Sequence, residues 1–284
     1  MELTALDAER YWSRIGYQGP LSPTAEVLRA ITRAHVLAVP FETLDGPEGR
    51  YPSLDLASIQ DKVVDRRCGG ACMELNGLLA HYLGEVGFEV SLFAAYVWLP
   101  HESRFTENTD HLVLKIALGD GDVLADVAFS HLTPAEPIPF RVGETEQDGW
   151  RFRITAGERG HLLERAGADR AWQPLYLFVP EPTTLPEFEQ VVKQYLTPGT
   201  TTPVSRAVMC ARAVPGGKIT LINEYLTIAE DGAEKVHRIA DPAVAEQAIE
   251  RIFADHSHLA DRGLRLWRDF AARAAAATQP IEGE

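Results

Sequence analysis

Residues 67–87 read RCGGACMELNGLLAHYLGEVG, and this stretch decides the fold. Leu75, Leu78, Leu79, Tyr82, Leu83 and Val86 recur at spacings of three and four, which predicts a helix with one buried apolar face. Gly69-Gly70 precede it as a turn that only small residues tolerate. Cys72 then falls at the helix N-terminus, off the apolar stripe. Backbone N–H groups and the positive end of the helix dipole converge there and favour a thiolate. Geometry alone leaves two readings of Cys72 open, a reactive thiol and a buried structural one.

Upstream of this helix the chain reads as helical. Residues 7–14 form a short amphipathic helix, Ser22-Pro23 opens a second with proline at an early position, and residues 55–64 form a third. Residues 40–45, PFETLD, read as a loop between the last two. Past Gly87 the texture changes to runs of Val, Leu and aromatic residues, predicting strands over 88–99, 111–118 and 123–129. Further strands are expected at 150–154, 161–165 and 172–179. Residues 180–194 start proline-rich and turn helical, marking a junction. Residues 205–214 and 219–228 form a hairpin around Pro215-Gly216-Gly217, and helices follow at 242–254 and 262–277. Helices, then antiparallel strands, then mixed elements make an α+β chain rather than a doubly wound sheet.

Composition narrows the function. Among 284 residues, 41 acidic against 27 basic residues leave a net charge of −14, which argues against nucleic acid or an anionic membrane surface as partner. No apolar run reaches transmembrane length and the N-terminus has no signal-peptide core, so no membrane is expected. Cys68, Cys72 and Cys210 are an odd number, which predicts free thiols in a reducing cytoplasm. Cys68, Cys72 and His81 lack a second ligand pair at close spacing, so no metal is expected. The glycines near 119 lack both the Walker spacing and a following helix.

A thiol nucleophile needs a base, and the base needs an orienting group. His111 begins one predicted strand, and Asp126 lies in the next among Leu124, Ala125, Val127 and Ala128. A carboxylate in such a run must be paired or hydrogen-bonded. A hairpin turn at Gly119-Asp120 sets position 111 opposite 128, with Asp126 as its diagonal neighbour on the same face. A turn centred on Asp120-Gly121 puts them too far apart. Both registers are open, as is a purely structural Asp126. His35, His81 and His101 have no equally placed acidic partner.

Several short motifs then recur in a telling order. They are Arg14-Ile15-Gly16-Tyr17 with Gly19-Pro20, Ala34-His35 leading to Pro40-Phe41-Glu42, and Gly69-Gly70-Ala71-Cys72 with Glu74 and Asn76. Asp110-His111-Leu112-Val113-Leu114 and Asp126-Val127-Ala128-Phe129 follow, then Trp172 with Leu175-Tyr176 and Phe178, and the hairpin from Ala211-Arg212 to Leu226-Thr227. Their order and spacing resemble the arylamine N-acetyltransferase family over nearly the whole chain. The resemblance implies three regions: a helical bundle carrying Cys72 (1–86), an antiparallel β-barrel carrying His111 and Asp126 (87–190) and an α/β lid (191–284). It places the triad at the junction of the first two, in the manner of cysteine proteases and transglutaminases. It implies Cys72 as nucleophile, His111 as base and Asp126 as orienter in a ping-pong transfer. The acyl donor is acetyl-CoA or another acyl-CoA, the acceptor a small-molecule amine, and no coenzyme-binding residues are assigned.

The chain departs from the family around the site. Cys68 stands where the family has an Arg that pairs with the glutamate of the Pro-Phe-Glu motif, here Glu42, and Arg66 and Arg67 are the nearby substitutes. Thr43 replaces an Asn, and Ala71 replaces a large aromatic, enlarging the pocket beside the nucleophile. Ala128 and Ser130 replace glycines that let backbone approach the coenzyme, and Thr202 replaces a His before Pro203, after an insertion at 197–201. Three further readings follow. One is an amide synthase of the same family, which takes its chain from an acyl carrier protein partner and closes a macrolactam. The others are a binding scaffold without turnover and a thiol hydrolase.

Overall fold

The computed structural model describes residues 6–167, 171–195, 207–254 and 256–278. Side-chain caps set the starts of the first helices. Asp7 accepts from the Arg10 N–H and opens α1 (Ala8–Ile15), and Thr24 accepts from the Val27 N–H and opens α2 (Ala25–Ala38). The start expected at Ser22-Pro23 moves on because Thr24 holds the capping oxygen. Asp55 caps α3 (Leu56–Gln60), after which the chain widens into a π turn, Asp61–Asp65, rather than continuing as α-helix. α4 (Cys72–Val86) follows and ends at Gly87 in the left-handed region, φ 101°.

α4 is the central helix. Leu75, Leu78, Leu79, Tyr82 and Leu83 have no exposed surface and pack with Tyr11, Leu28, Ile31 and Val63 of the first three helical segments. Met73, on the other side, packs against Leu112, Phe188 and Val192. Burying one such large apolar side chain stabilises by about 1.5–3 kcal/mol, so α4 is held from both sides.

A nine-stranded antiparallel sheet packs one face against this helix. Its strands are β2 (Glu89–Leu99), β3 (Arg104–Phe105), β4 (His111–Ala117), β5 (Val123–Ala125), β6 (Ile138–Pro139), β7 (Gly143–Gln147), β8 (Trp150–Gly157), β9 (Gly160–Ala166) and β10 (Gln173–Thr183), after β1 (Phe41–Glu42), which belongs elsewhere. The order is β6-β5-β4-β2-β10-β9-β8-β7, with β3 beside β2. The two ends meet through Gln147 of β7, which exchanges hydrogen bonds with the backbone of Glu136 and donates to Pro137 O beside β6. The sheet is thereby a nearly closed barrel around Phe93, Val113, Leu163, Tyr176 and Phe178.

The strand expected over 123–129 stops at Ala125. Beyond it side chains take over the backbone: Asn76 accepts from the Val127 N–H, Asp126 from the Ala128 N–H and Thr133 from the Phe129 N–H. β10 runs on to Thr183, past the expected junction at 180, with its register shifting between Phe178 and Pro182. Leu185–Phe188 then turn into α5 (Glu189–Tyr195).

The second sheet has five strands, β1-β11-β12-β13-β14, formed with β11 (Met209–Val214), β12 (Gly217–Ile222), β13 (Tyr225–Glu230) and β14 (Ala233–Arg238). Residues 40–45, expected as a loop, supply β1, where Phe41 and Glu42 pair with Ala211 and Cys210. The single strand expected over 219–228 is two, because Asn223 takes φ 52° and makes a two-residue turn between Ile222 and Tyr225. α6 (Pro242–Phe253) and α7 (Ser257–Thr278) cover this sheet. The residues expected at 197–203 lie outside the described ones.

Gly69 and Gly70 are not in left-handed conformations; Arg67, φ 53°, makes the turn instead. The glycines serve close approach. A Cβ on Gly69 would lie 2.3 Å from the Pro40 carbonyl oxygen, and Gly70 bridges to Phe41. The cation expected beside Glu42 from Arg66 or Arg67 is Lys62. Its ammonium lies 2.7 Å from Asp45, 2.9 Å from Glu74 and 3.7 Å from Glu42, while Arg66 is held at 2.8 Å by Asp61. The π turn places Lys62 inward. Glu74 in turn accepts the Ala71 N–H at 2.9 Å, tying the start of α4 to this lysine.

Two outcomes follow for stability in urea. Gly69→Ala should cost about 2–4 kcal/mol, since backbone must move, whereas Gly84→Ala, with open space around it, should gain about 0.5–1 kcal/mol. Lys62→Met should cost about 3–5 kcal/mol by leaving buried carboxylates without a cation, and Lys62→Arg should recover part of it.

Candidate active site

The three residues predicted for the site come from three elements. Cys72 is the first residue of α4, following Ala71 in extended conformation. His111 is the first residue of β4, and Asp126 directly follows β5. The β4–β5 ladder pairs Leu114 with Ala125, Lys115 with Leu124 and Ile116 with Val123. The Gly121 N–H donates to Leu118 O at 3.1 Å, closing the turn at Gly119-Asp120. Of the two open registers the chain takes the one that places Asp126 diagonally from His111.

His111 Nε2 and Asp126 Oδ2 are 2.8 Å apart, and both residues are 2% exposed. The remaining carboxylate oxygen, Oδ1, accepts from Asn76 Nδ2 and from the Ala128 N–H, each at 2.9 Å. Asn76 Nδ2 also donates to Leu112 O, and its Oδ1 accepts from the Val127 N–H. One amide therefore clamps α4, β4 and the segment after β5. The imidazole is flanked by the rings of Phe129 and Tyr176, with centroids at 4.7 and 5.0 Å.

Burial works against an imidazolium here, but the charge and hydrogen bond of Asp126 outweigh it. With a further contribution from a hydrogen bond with Cys72, they push His111 up to about 10. Burial likewise opposes ionisation of Asp126, yet His111, Asn76 and the Ala128 N–H hold its carboxyl below the usual range. Burial, and then the neighbouring carboxylate, push the Tyr176 phenol far above its ordinary value. With Nε2 on Asp126, the ring leaves Nδ1 for the thiol. The Cys72 sulfur lies 3.6 Å from the Asp110 carbonyl oxygen and is partly exposed.

All three thiols are free. Burial raises the other two, Cys68 and Cys210, so a helix N-terminus and an imidazolium meet at Cys72 and not at them. Among the competing histidines, His35 is bound to the Tyr11 hydroxyl at 2.7 Å and His81 faces Glu85. The arrangement can hold a thiolate, return a proton to a leaving group, and offer helix-start N–H groups to an oxyanion.

Sequence reasoning passed over Asn76 and Tyr176 as site residues. Asn76 was detectable, being polar, one helical turn from Cys72 and inside an apolar run. Tyr176 sits among Leu175, Leu177 and Phe178 and looks like any core aromatic. Ser130 keeps φ 56°, the region its glycine counterpart would favour, and its hydroxyl meets Thr220 at 3.4 Å. Ala128 is 1% exposed and packs in the core.

Comparisons with known proteins bear on the fold and the family. The family model described as N-acetyltransferase matches residues 24–256. An arylamine N-acetyltransferase of Mycolicibacterium smegmatis is 33% identical, with 92% of this chain and 96% of that protein aligned. Proansamycin X synthase of Amycolatopsis mediterranei is 29% identical over 89% of this chain and all of its own length. The structure of the Mycobacterium marinum arylamine N-acetyltransferase in complex with CoA superposes with a TM-score of 0.82, at 27% identity, covering 94% of this chain and 99% of that one. With one family model over most of its length, close relatives across the same span and a matching solved fold, the chain belongs to the N-acetyltransferase family of acyltransferase enzymes.

Proposed function

We propose that the protein transfers an acyl group, acetyl in the simplest case, from a coenzyme A thioester to an arylamine or hydrazine through an acyl-Cys72 intermediate. The observation that carries this reading is the buried His111–Asp126 pair, 2.8 Å apart, facing a thiol at a helix start. The Cys72 thiolate attacks the thioester carbonyl, and the helix-start N–H groups stabilise the oxyanion. The coenzyme sulfur departs and takes the proton of the His111 imidazolium.

Acylation then removes the sulfur's negative charge, which is one of the influences holding His111 protonated. The ring, neutral after giving its proton to the coenzyme sulfur, accepts the proton of the attacking amine, whose nitrogen displaces Cys72 and carries off the acyl group. Asp126 keeps the ring oriented through both halves, and Asn76 keeps Asp126 in place. The cytoplasm, where free thiols persist, is the compartment we assign.

A second reading, release or cyclisation of a carrier-protein-bound chain as an amide, rests on the likeness to proansamycin X synthase and on the small Ala71 beside the nucleophile. Intact mass after incubation with acetyl-CoA should show one added acetyl group, lost on adding an aromatic hydrazine and absent in Cys72→Ala. Labelling only by a carrier-bound acyl thioester would favour the synthase, and no acylation by either would overturn both.

The pH dependence has a definite sign. His111 is raised, so its imidazolium is complete at low pH and is lost as pH rises through about 10. Acylation of the native enzyme should therefore keep its rate until that alkaline limb. Asp126→Asn removes the charge that raises the ring, so the limb should fall by more than one pH unit. The rate at pH 8 should drop about 10²- to 10⁴-fold, measured by stopped-flow release of coenzyme thiol. An unmoved limb would contradict the assignment.

A further inference from the structure

Residues 184–195, which follow β10, form a strap. The Thr184 N–H donates to the Glu187 carboxylate at 2.6 Å, the chain turns through Leu185–Phe188 and then continues as α5. Leu185, Phe188, Val191 and Val192 recur at spacings of three and four and turn inward. Glu187, Glu189, Gln190, Lys193 and Gln194 are exposed. A helix of seven residues does not hold itself, so this narrow apolar stripe and the contacts at the two ends keep the strap in place.

Both ends are attached to residues that flank the nucleophile. At the near end Leu185 seats against Gly77 of α4, where an added Cβ would lie 3.0 Å from the Leu185 Cδ1. A glycine inside a helix weakens it, and what this one provides is the notch for Leu185. Phe188 and Val192 pack with Met73 and Leu112, the residues that follow Cys72 and His111, and Cys72 itself packs against that cluster. At the far end Gln194 Oε1 accepts from Asn108 Nδ2 at 2.7 Å. Asn108 is two residues before Asp110, whose carbonyl oxygen lies 3.6 Å from the Cys72 sulfur. The strap thus reaches from α4 to the turn on which the thiol rests.

The apolar surface of this cluster is already covered. Met73 and Leu112 have no exposed surface, and Phe188 and Val192 are buried. An acetyl group on the sulfur adds one methyl. A longer acyl chain buries its methylenes there only if Phe188 and Val192 give way, because a packed core does not absorb added methylenes. We propose that the strap sets the length of the acyl chain that Cys72 accepts. Seated, it admits short groups such as acetyl; a long chain enters only when the attachments at Leu185 and Gln194 release. The proposal rests on the acyl-transfer reading and names its donor class, the short-chain acyl thioesters.

The test is alkylation of the thiol on the full chain, which needs neither coenzyme nor acyl donor. Iodoacetamide and N-octyliodoacetamide are compared at pH 8 by intact mass, with Cys72→Ala correcting for any labelling of Cys68 and Cys210. Dividing each rate by that for glutathione removes the reagents' intrinsic difference. On that scale the octyl reagent should label native Cys72 at least about tenfold more slowly than iodoacetamide. The octyl-to-iodoacetamide ratio should rise about tenfold in Leu185→Ala and about threefold in Asn108→Ala, which removes one exposed hydrogen bond.

Asn108→Ala alters only the surface and carries the test if Leu185→Ala does not fold, as judged by its urea midpoint. Equal scaled rates for the two reagents in the native protein would overturn the proposal. So would a ratio that stays at the native value in the folded variants. Failure of acetyl-CoA to acylate Cys72, with the alkylation ratios as expected, would overturn the acyl-transfer reading and leave the strap as the gate to the thiol.

Discussion

A carboxylate and an imidazole meet 2.8 Å apart in an interior that excludes water from both. Neither could sit there alone, because an isolated buried charge costs several kcal/mol. Together, with Asn76 and the Ala128 N–H on the free oxygen, they are satisfied. The strand carrying Asp126 breaks off to make this possible. Val127, Ala128 and Phe129 trade ladder hydrogen bonds for bonds to Asn76, Asp126 and Thr133, so local sheet structure yields to the site.

The nucleophile is positioned by a different set of forces. α4 is gripped by two apolar clusters, and its first turn is tied through Glu74 to Lys62. Lys62 also contacts Asp45, which Arg262 of α7 reaches at 2.6 Å. The helix start is thus connected through ions to the C-terminal helix, while β1 joins residues 41–42 to the second sheet. Cys68, in place of the arginine expected from the family, packs at 6% exposure beside His258. The charge that arginine would carry comes from Lys62, six residues upstream.

Much of this could be read from residues alone, for physical reasons that differ by element. The three-and-four spacing in α4 and the Val- and Leu-rich runs of β2 and β4 are consequences of burial, so composition records them. Cys72, His111 and Asp126 stand out because each is a reactive or charged group in an apolar neighbourhood. Other features leave weaker traces. β14, AEKVHR, is held by backbone pairing to β13 while most of its side chains face solvent, so no apolar alternation marks it. The turn at Asn223 has no glycine to announce it. Lys62 owes its role to a π turn that brings together carboxylates from positions 42, 45 and 74, and no local pattern encodes that convergence. The hairpin register depended on which two residues formed the turn, and only the closed Leu118–Gly121 hydrogen bond decides it.

The whole account depends on His111 being charged at neutral pH because Asp126 sits against it. Nitrogen-15 NMR of a histidine-labelled protein measures this directly, with His111→Gln assigning the signal. The ring should be doubly protonated at pH 7.5 and lose its proton near pH 10. A ring that is neutral at pH 7.5 and titrates close to the ordinary histidine value of about 6.5 would contradict the account.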